Sequence, residues 1–341
     1  MCKVVIIGCG RIFNKHFEAL NHNKKYFKIV GVFDRDPKKN VKTSKLCSTK
    51  IYSNINDLIK ATKPDIVSIL VESGNHLKVC KEVIKKHNIK NFIIEKPLDI
   101  SVKKIKIFSK FIKKKKINIF TVKQNRFNKA VIQAKKLIDQ NLLGKVFMTS
   151  VSCKWKRDQS YYDLANWRGK RKLDGGVLMN QAIHHVDLLL YLIGDIEYVS
   201  GFGDTRFVKI ECENIAVATL KFKNKCLGVI EATTATQPED YEGSITIMGD
   251  KGTLKIGGFA SNKISYFKNA YKTKIYLEKY NTNISNVYGV GHQKFYRYVA
   301  NYLSGKLNNN SFDISSSIKS VATVESIVNS FKSRKIEKVE H

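Results

Sequence analysis

Several things are scarce or missing in this chain. No apolar run in its 341 residues reaches the length of a membrane span. The opening Met1 to Gly8 goes straight into a strand-like run, without the long apolar core and small-residue cleavage site of a signal peptide. A cytoplasmic protein with no membrane partner is expected. The seven cysteines stand singly at 2, 9, 47, 80, 153, 212 and 226, with no Cys-x-x-Cys spacing. That pattern excludes a disulfide framework and a zinc ribbon and implies reduced thiols. Acidic residues are outnumbered 29 to 61, a net charge of +32, which raises nucleic acid as a partner. Arginine is rare, however, at nine of the 61, and proline numbers four against abundant Lys, Ile and Asn. The lysines lie over most predicted helices, and the densest run, Lys113 to Lys116, ends one of them, where cations complement the dipole. This is drift in residue usage rather than a built groove, and no nucleic-acid partner is expected.

At 341 residues and 43% hydrophobic content, the chain has room for two globular domains. Residues 3 to 7 are a short apolar run, followed by Gly8-Cys9-Gly10-Arg11-Ile12-Phe13 and a helical pattern through Leu20. In a dinucleotide fold Gly8 permits the tight turn and Gly10 lets the backbone approach a pyrophosphate, while the helix N-terminus faces the phosphates. Phe13 stands where a third glycine is usual. A second strand, Phe27 to Phe33, ends in Asp34, placed to accept from both ribose hydroxyls, which favours NAD over NADP despite the adjacent Arg35. The plainer role for Asp34 is in the turn Asp34-Arg35-Asp36-Pro37.

Helices near Pro37 to Leu46, Ile55 to Thr62, His76 to Asn88 and from Val102 alternate with strands Asp65 to Val71, Phe92 to Ile94 and Ile117 to Val122. Such alternation predicts an α/β, doubly wound, mostly parallel sheet. Ligands of such sheets lie beyond the strand carboxyl ends, here Gly8 to Ile12, Asp34, Ser73 to His76, Glu95-Lys96-Pro97 and Lys123 to Arg126. Pro97 biases Lys96 away from helical geometry, so its side chain projects from a strand end. The bland alternative is one more solvent lysine.

Beyond Val122 the pattern changes. A helix from Asn128 to Asn141 precedes alternating runs at Lys145 to Lys156, Tyr198 to Phe207, Asn214 to Phe222, Cys226 to Thr234, Ser244 to Met248 and Thr253 to Ile256. These predict a C-terminal α+β domain with an open, mainly antiparallel sheet, and a closing helix near 314 to 331. The division expected is 1–122 and 123–341.

The stretch Asp174 to Leu190 reads as an apolar helix capped by Asp174, with Asn180, His184 and Asp187 at i, i+4 and i+7 on one stripe. His184 is preferred to His185, which points about 100 degrees away. A core helix with a self-satisfied polar stripe is the bland reading. His184 and Asp187 could share a metal, but no third ligand is evident, so none is expected. The loop Arg157 to Gly169 is too polar and aromatic for core. It suits a lid whose arginines clamp phosphates and whose Tyr161, Tyr162 or Trp167 stacks on a ring, or else a contact between subunits.

Taken together, Gly8-Cys9-Gly10-Arg11-Ile12, Ser73-Gly74-Asn75-His76, Glu95-Lys96-Pro97 and Gly175-Gly176 leading to His184-x-x-Asp187 resemble the Gfo/Idh/MocA oxidoreductase family nearly end to end. Lys123 to Asn128, Tyr161-Tyr162-Asp163, Trp167-Arg168-Gly169, Asn180-Gln181-Ala182-x-His184 and Gly228 to Thr234 resemble its UDP-N-acetylhexosamine and uronic-acid dehydrogenases. The resemblance implies oxidation of a C3 hydroxyl with NAD to a 3-keto sugar that feeds 2,3-diamino sugars of surface polysaccharide or lipid A. It implies His184 as general base and Lys96 as its partner. NAD would meet Gly8, Gly10, Arg11, Ile12, Asp34, Arg35, Ser73, Asn75, His76, Glu95, Lys96, Gln124, Trp167 and Arg168. The UDP-amino sugar would meet Lys96, Arg157, Gln159, Tyr162, Arg168, Asn180 and His184. Many relatives carry Asp at the position of Asn180, so a Lys-Asp-His relay is absent and Asn180 can only orient. A homodimer or homotetramer is implied, and 2-oxoglutarate as a recycler of NADH is a further partner to test. Oxidation of a free cyclitol or monosaccharide, and a non-catalytic NAD and sugar sensor, are the rival readings.

Overall fold

Short apolar strands separated by helices build the first sheet of the computed structural model, which describes residues 1–284 and 289–340. In order they are β1 (Cys2–Ile7), α1 (Phe13–His22), β2 (Phe27–Phe33), α2 (Pro37–Leu46), α3 (Ile55–Thr62), β3 (Ile66–Ile69), α4 (His76–Lys86), β4 (Asn91–Ile94), α5 (Val102–Lys113) and β5 (Asn118–Thr121). The strands run parallel in the order β2-β1-β3-β4-β5, so the winding reverses between β1 and β3. Every residue of β3 is buried, as a strand covered on both faces by helices requires. Local chemistry sets the helix starts. Asp36 caps α2 by accepting from Lys38 N at 2.9 Å ahead of Pro37, and Asn54 caps α3 by accepting from Asp57 N at 2.9 Å.

The remaining elements are α6 (Lys129–Asp139), β6 (Val146–Lys154), α7 (Gln159–Asp163), a π-helical turn at Leu178–Ala182 running into α8 (Ile183–Leu192), β7 (Ile196–Asp204), β8 (Ile215–Phe222), β9 (Leu227–Thr233), β10 (Glu242–Gly249), β11 (Gly252–Gly257), β12 (Lys263–Asn269), α9 (Gly291–Leu303), α10 (Ile314–Ser333) and β13 (Glu337–Lys338). Their sheet has the order β12-β11-β10-β6-β9-β8-β7-β13, antiparallel except for β6 beside β9. Strict alternation along β8 buries Ala216, Ala218, Leu220 and Phe222 and turns Val217, Thr219 and Lys221 outward.

The chain divides into two compact units, Met1–Lys123 with His292–Ile318, and Gln124–Gly291 with Lys319–His341. A second domain running unbroken over 123–341, a span that includes residues outside those described, does not anticipate this return. Helix α9 and the first turn of α10 pack with the first sheet: Phe295 and Tyr296 are completely buried, Phe120 meets Tyr302 edge-on with ring centres 5.3 Å apart, and Thr121 N donates to Phe312 O at 2.8 Å. Helix α9 and strands β12 and β13 are additions to the elements expected from the sequence, and β7 ends at Asp204 rather than Phe207.

Candidate active site

The glycine turn is shaped by exclusion. Gly8 has φ +98°, and a Cβ there would lie 2.6 Å from the carbonyl carbon of Leu70 on the neighbouring strand end, so only glycine fits. A Cβ on Gly10 would meet nothing within 4 Å. Helix α1, opening after Arg11 and Ile12, has no side-chain cap and no acid in its first turn, which leaves its positive end suited to an anion. Phe13 is fully buried, so the bulkier residue in place of a third glycine is absorbed by the core without blocking the turn.

Asp34 fills the turn role expected of it and adds a second. One carboxylate oxygen accepts from Cys9 N at 2.6 Å, fastening the glycine turn to the end of β2, and the other accepts from Asp36 N at 2.9 Å. Arg35 is paired with Glu72, whose carboxylate also accepts from Asn75 Nδ2 at 3.0 Å. Its guanidinium therefore has an acidic partner already, which weakens it as a receptor for a 2′-phosphate. Ser73 and Asn75 lie on a short 3₁₀ turn just beyond β3. His76 is buried behind them, its Nδ1 2.7 Å from Pro97 O and its Nε2 2.9 Å from Val71 O. Burial pushes its pKa down, so the neutral ring has one N–H for these two carbonyls, and the shorter approach assigns it to Pro97 O.

Lys96, half-buried at the end of β4, is joined to Pro97 by a cis peptide bond. Glu95 faces inward. Its Oε1 lies 2.9 Å from His16 Nε2 and 3.6 Å from His292 Nε2, and its Oε2 accepts from Lys96 N at 3.0 Å. Burial pushes the carboxyl up, but the two imidazoles outweigh it and hold Glu95 well below the usual carboxylate range. Burial keeps His16 low in spite of that carboxylate. We therefore hold the pair as a carboxylate accepting an N–H from a neutral ring.

In the second unit Asp174 is not the expected N-cap. Its carboxylate accepts from Gly169 N at 2.7 Å and from the side-chain amide of Asn180. The helix begins beyond two glycines in the left-handed region, Gly175 at +83° and Gly176 at +86°, and the Glu213 carboxylate occupies the space a Cβ on Gly176 would need. The π turn at 178–182 inserts an extra residue, and such turns recur at functional sites. It breaks the ideal stripe: Asn180 turns to Asp174, whereas Asp187 is committed to Arg126 through two bonds of 2.7 Å. His184 is half-buried on α8, while His185 is fully buried beside Trp155 and pushed by burial down to about 4.

The lid segment forms α7, capped by Asp158. Arg157 is paired with Asp240 at 2.8 Å. The Gln159 amide donates to Asp163 at 2.8 Å and accepts from Lys209 N at 2.6 Å. Tyr162 is buried with its hydroxyl 2.9 Å from that of Thr234, and burial pushes it up to about 12. Arg168 lies over the rings of Tyr161 and Trp167, at 4.2 and 4.8 Å, and its Nε is buried without a hydrogen-bond partner among the described residues. Gln124 Oε1 is likewise buried and unpartnered.

The open space over Gly10 and the uncapped start of α1, beside the carboxylate of Asp34, fit a dinucleotide. Sequence reasoning missed His16, His292, Tyr296 and Glu213. A signal existed for α9 in the spacing of Phe295, Val299 and Tyr302, but nothing local links that helix to Glu95.

Residues 2–123 match an oxidoreductase family with an NAD-binding Rossmann fold, and 131–255 match the GFO/IDH/MocA C-terminal domain. The WlbA dehydrogenase from Bordetella pertussis, solved with NADH and UDP-GlcNAcA, is 32% identical and superposes with a TM-score of 0.94 over 100% of this chain and 98% of its own. The WlbA enzyme of Chromobacterium violaceum, with the same two ligands, is 30% identical with a TM-score of 0.91, covering 99% and 96%. Myo-inositol 2-dehydrogenase of Thermotoga maritima is 25% identical over 84% of this chain and 88% of its own. Glucose-6-phosphate 3-dehydrogenase of Bacillus subtilis is 27% identical over 75% and 74%. With a parallel five-stranded sheet, a match to an NAD-binding Rossmann domain and likeness along its whole length, the chain belongs to the GFO/IDH/MocA family of NAD-dependent oxidoreductases.

Proposed function

We propose that this protein oxidises the C3 hydroxyl of a UDP-N-acetylhexosamine, UDP-GlcNAc or its uronic acid, to the 3-keto sugar. One observation carries the reading: the likeness to two dehydrogenases that hold NADH and UDP-GlcNAcA exceeds 30% or equals it over nearly the full chain, above that to the inositol and sugar-phosphate enzymes. NAD, when bound, accepts the hydride from C3. His184 takes the hydroxyl proton, and Lys96 stabilises the alkoxide that develops as it leaves. Arg168 and Trp167 on the lid, with Asn180 orienting, would hold the nucleotide sugar. In this reading the product passes, in the cytoplasm, to an aminotransferase on the way to 2,3-diamino sugars of lipopolysaccharide, and 2-oxoglutarate recycles the NADH. No described helix is long and apolar enough to cross a membrane. A second copy would cover the outward sheet face, where Phe202 is opposite Val217 and Leu227 is opposite Met148, all four exposed.

The test is a panel of UDP-sugars, free sugars and inositols followed at the NADH absorbance. UDP-GlcNAc or UDP-GlcNAcA should give the highest kcat/KM, and Lys96→Ala and His184→Ala should each abolish turnover while NAD affinity stays near wild type. Turnover of inositol alone, or full activity in both variants, would defeat it.

A further inference from the structure

We propose that Glu95 is a positioning residue for Lys96, fixed by a buried hydrogen-bonded chain that makes helix α9 part of the catalytic apparatus. The proposal rests on the reading of Lys96 as catalytic. A buried carboxylate is costly unless each oxygen is engaged. Glu95 is 6% exposed, and its two oxygens divide their work: Oε2 accepts the main-chain N–H of Lys96 at 3.0 Å, and Oε1 faces His16 Nε2 at 2.9 Å.

The protons of the chain can be placed one by one. His16 is completely buried and neutral, and its single N–H points at the carboxylate. Its Nδ1 must then accept, and Tyr296 Oη donates to it at 2.8 Å. With that proton committed, Tyr296 accepts from Ser68 Oγ at 3.5 Å. Four elements meet here: α1 brings His16, β3 brings Ser68, the end of β4 brings Glu95, and α9 brings Tyr296.

The consequence falls on the Lys96–Pro97 turn. Glu95 holds its N–H and His76 Nδ1 holds its Pro97 carbonyl at 2.7 Å, so the backbone from which the lysine leaves is clamped on both sides by buried side chains. His292, 2% exposed, stands beside the carboxylate with Nε2 at 3.6 Å and neither ring nitrogen hydrogen-bonded among the described residues. Ligand atoms of His16, Glu95 and His292 all lie within 4.8 Å of one another, a spacing that a divalent ion could also bridge. The 2.9 Å separation of His16 and Glu95 is that of a hydrogen bond, and the protons shared by Glu95, His16, Tyr296 and Ser68 are placed without an ion.

The experiment measures kcat and KM for NAD and for the best sugar of the panel in Glu95→Ala, Glu95→Gln, Tyr296→Phe and Lys96→Ala. Glu95→Ala should lower kcat about ten- to hundredfold with both KM values within about twofold, the pattern of a misplaced group rather than a lost binding contact. Glu95→Gln should recover to within about threefold of wild type, because its Oε1 still accepts from Lys96 N while its amide donates to His16, whose proton then moves to the Tyr296 side. Tyr296→Phe, which keeps the ring and its packing, should lose about threefold in kcat and serves as the test if Glu95→Ala folds poorly. An unchanged kcat in Glu95→Ala or Tyr296→Phe, a loss confined to KM, or no recovery in Glu95→Gln would overturn the proposal. So would a visible absorption band when Co(II) is titrated into the wild-type protein, which would make the cluster a metal centre. Full activity in Lys96→Ala would instead bring down the proposed mechanism itself, whereas a crippled Lys96→Ala beside an intact Glu95→Ala would remove the positioning role alone.

Discussion

Glu213 is a buried carboxyl whose titration should be measurable in the stability of the whole second unit. Its side chain is 7% exposed and fills the space above Gly176, reaching Leu178 N at 3.5 Å where the His184 helix begins. Burial pushes it up to about 7, and the negative charge of buried Asp174 adds to the rise against the pull of nearby backbone N–H groups and Arg171. The folded chain thus holds this proton more tightly than the unfolded chain, whose value is 4.5. The stabilisation is complete below pH 4.5, declines as pH rises, and is gone above about 7. Each pH unit in that window withdraws about 1.4 kcal/mol, or about 3 kcal/mol in all. Glu213→Gln keeps the shape and cannot ionise. Denaturant melts of both proteins at pH 5 and pH 8 should show wild type losing about 3 kcal/mol relative to the variant between the two values. Parallel curves at both pH values would refute the argument, because they would mean that the carboxyl titrates as an exposed group.

Three further outcomes are expected. Gly8→Ala forces a Cβ against the Leu70 carbonyl at φ +98°, so NAD affinity by calorimetry should fall at least about tenfold, and an unchanged affinity would mean that the turn is not the cofactor's cradle. Asp187→Ala leaves the largely buried Arg126 guanidinium without its bidentate partner, at a cost of about 3–5 kcal/mol, which thermal melting should register as a drop of about 6–20 °C. Phe202→Lys places charge on the outward sheet face, and light scattering should then find a smaller assembly than wild type if that face joins subunits.

The alternation of strands and helices made the first sheet readable, because each strand is short, apolar and bounded by turn residues. The strand-end positions of Gly8, Asp34 and Lys96 were readable for the same reason. Beyond these the sequence was a poorer guide. The neighbours of Glu95 arrive from residues 16, 292 and 296, and only packing brings them together. An ideal helical wheel placed Asn180, His184 and Asp187 on one stripe, but the π turn and the pulls of Asp174 and Arg126 divide it. Arg157 looked available because Asp240, 83 residues away, is silent in any local window.

The bond between His16 and Tyr296 spans 280 positions of sequence. A ribosome that has released the five parallel strands has not yet made the helix that covers them, so the nascent dinucleotide unit must wait, with Phe120 and His16 uncovered, until residues 292–318 have emerged. Cofactor capture should therefore follow synthesis of that returning segment rather than of the strands themselves.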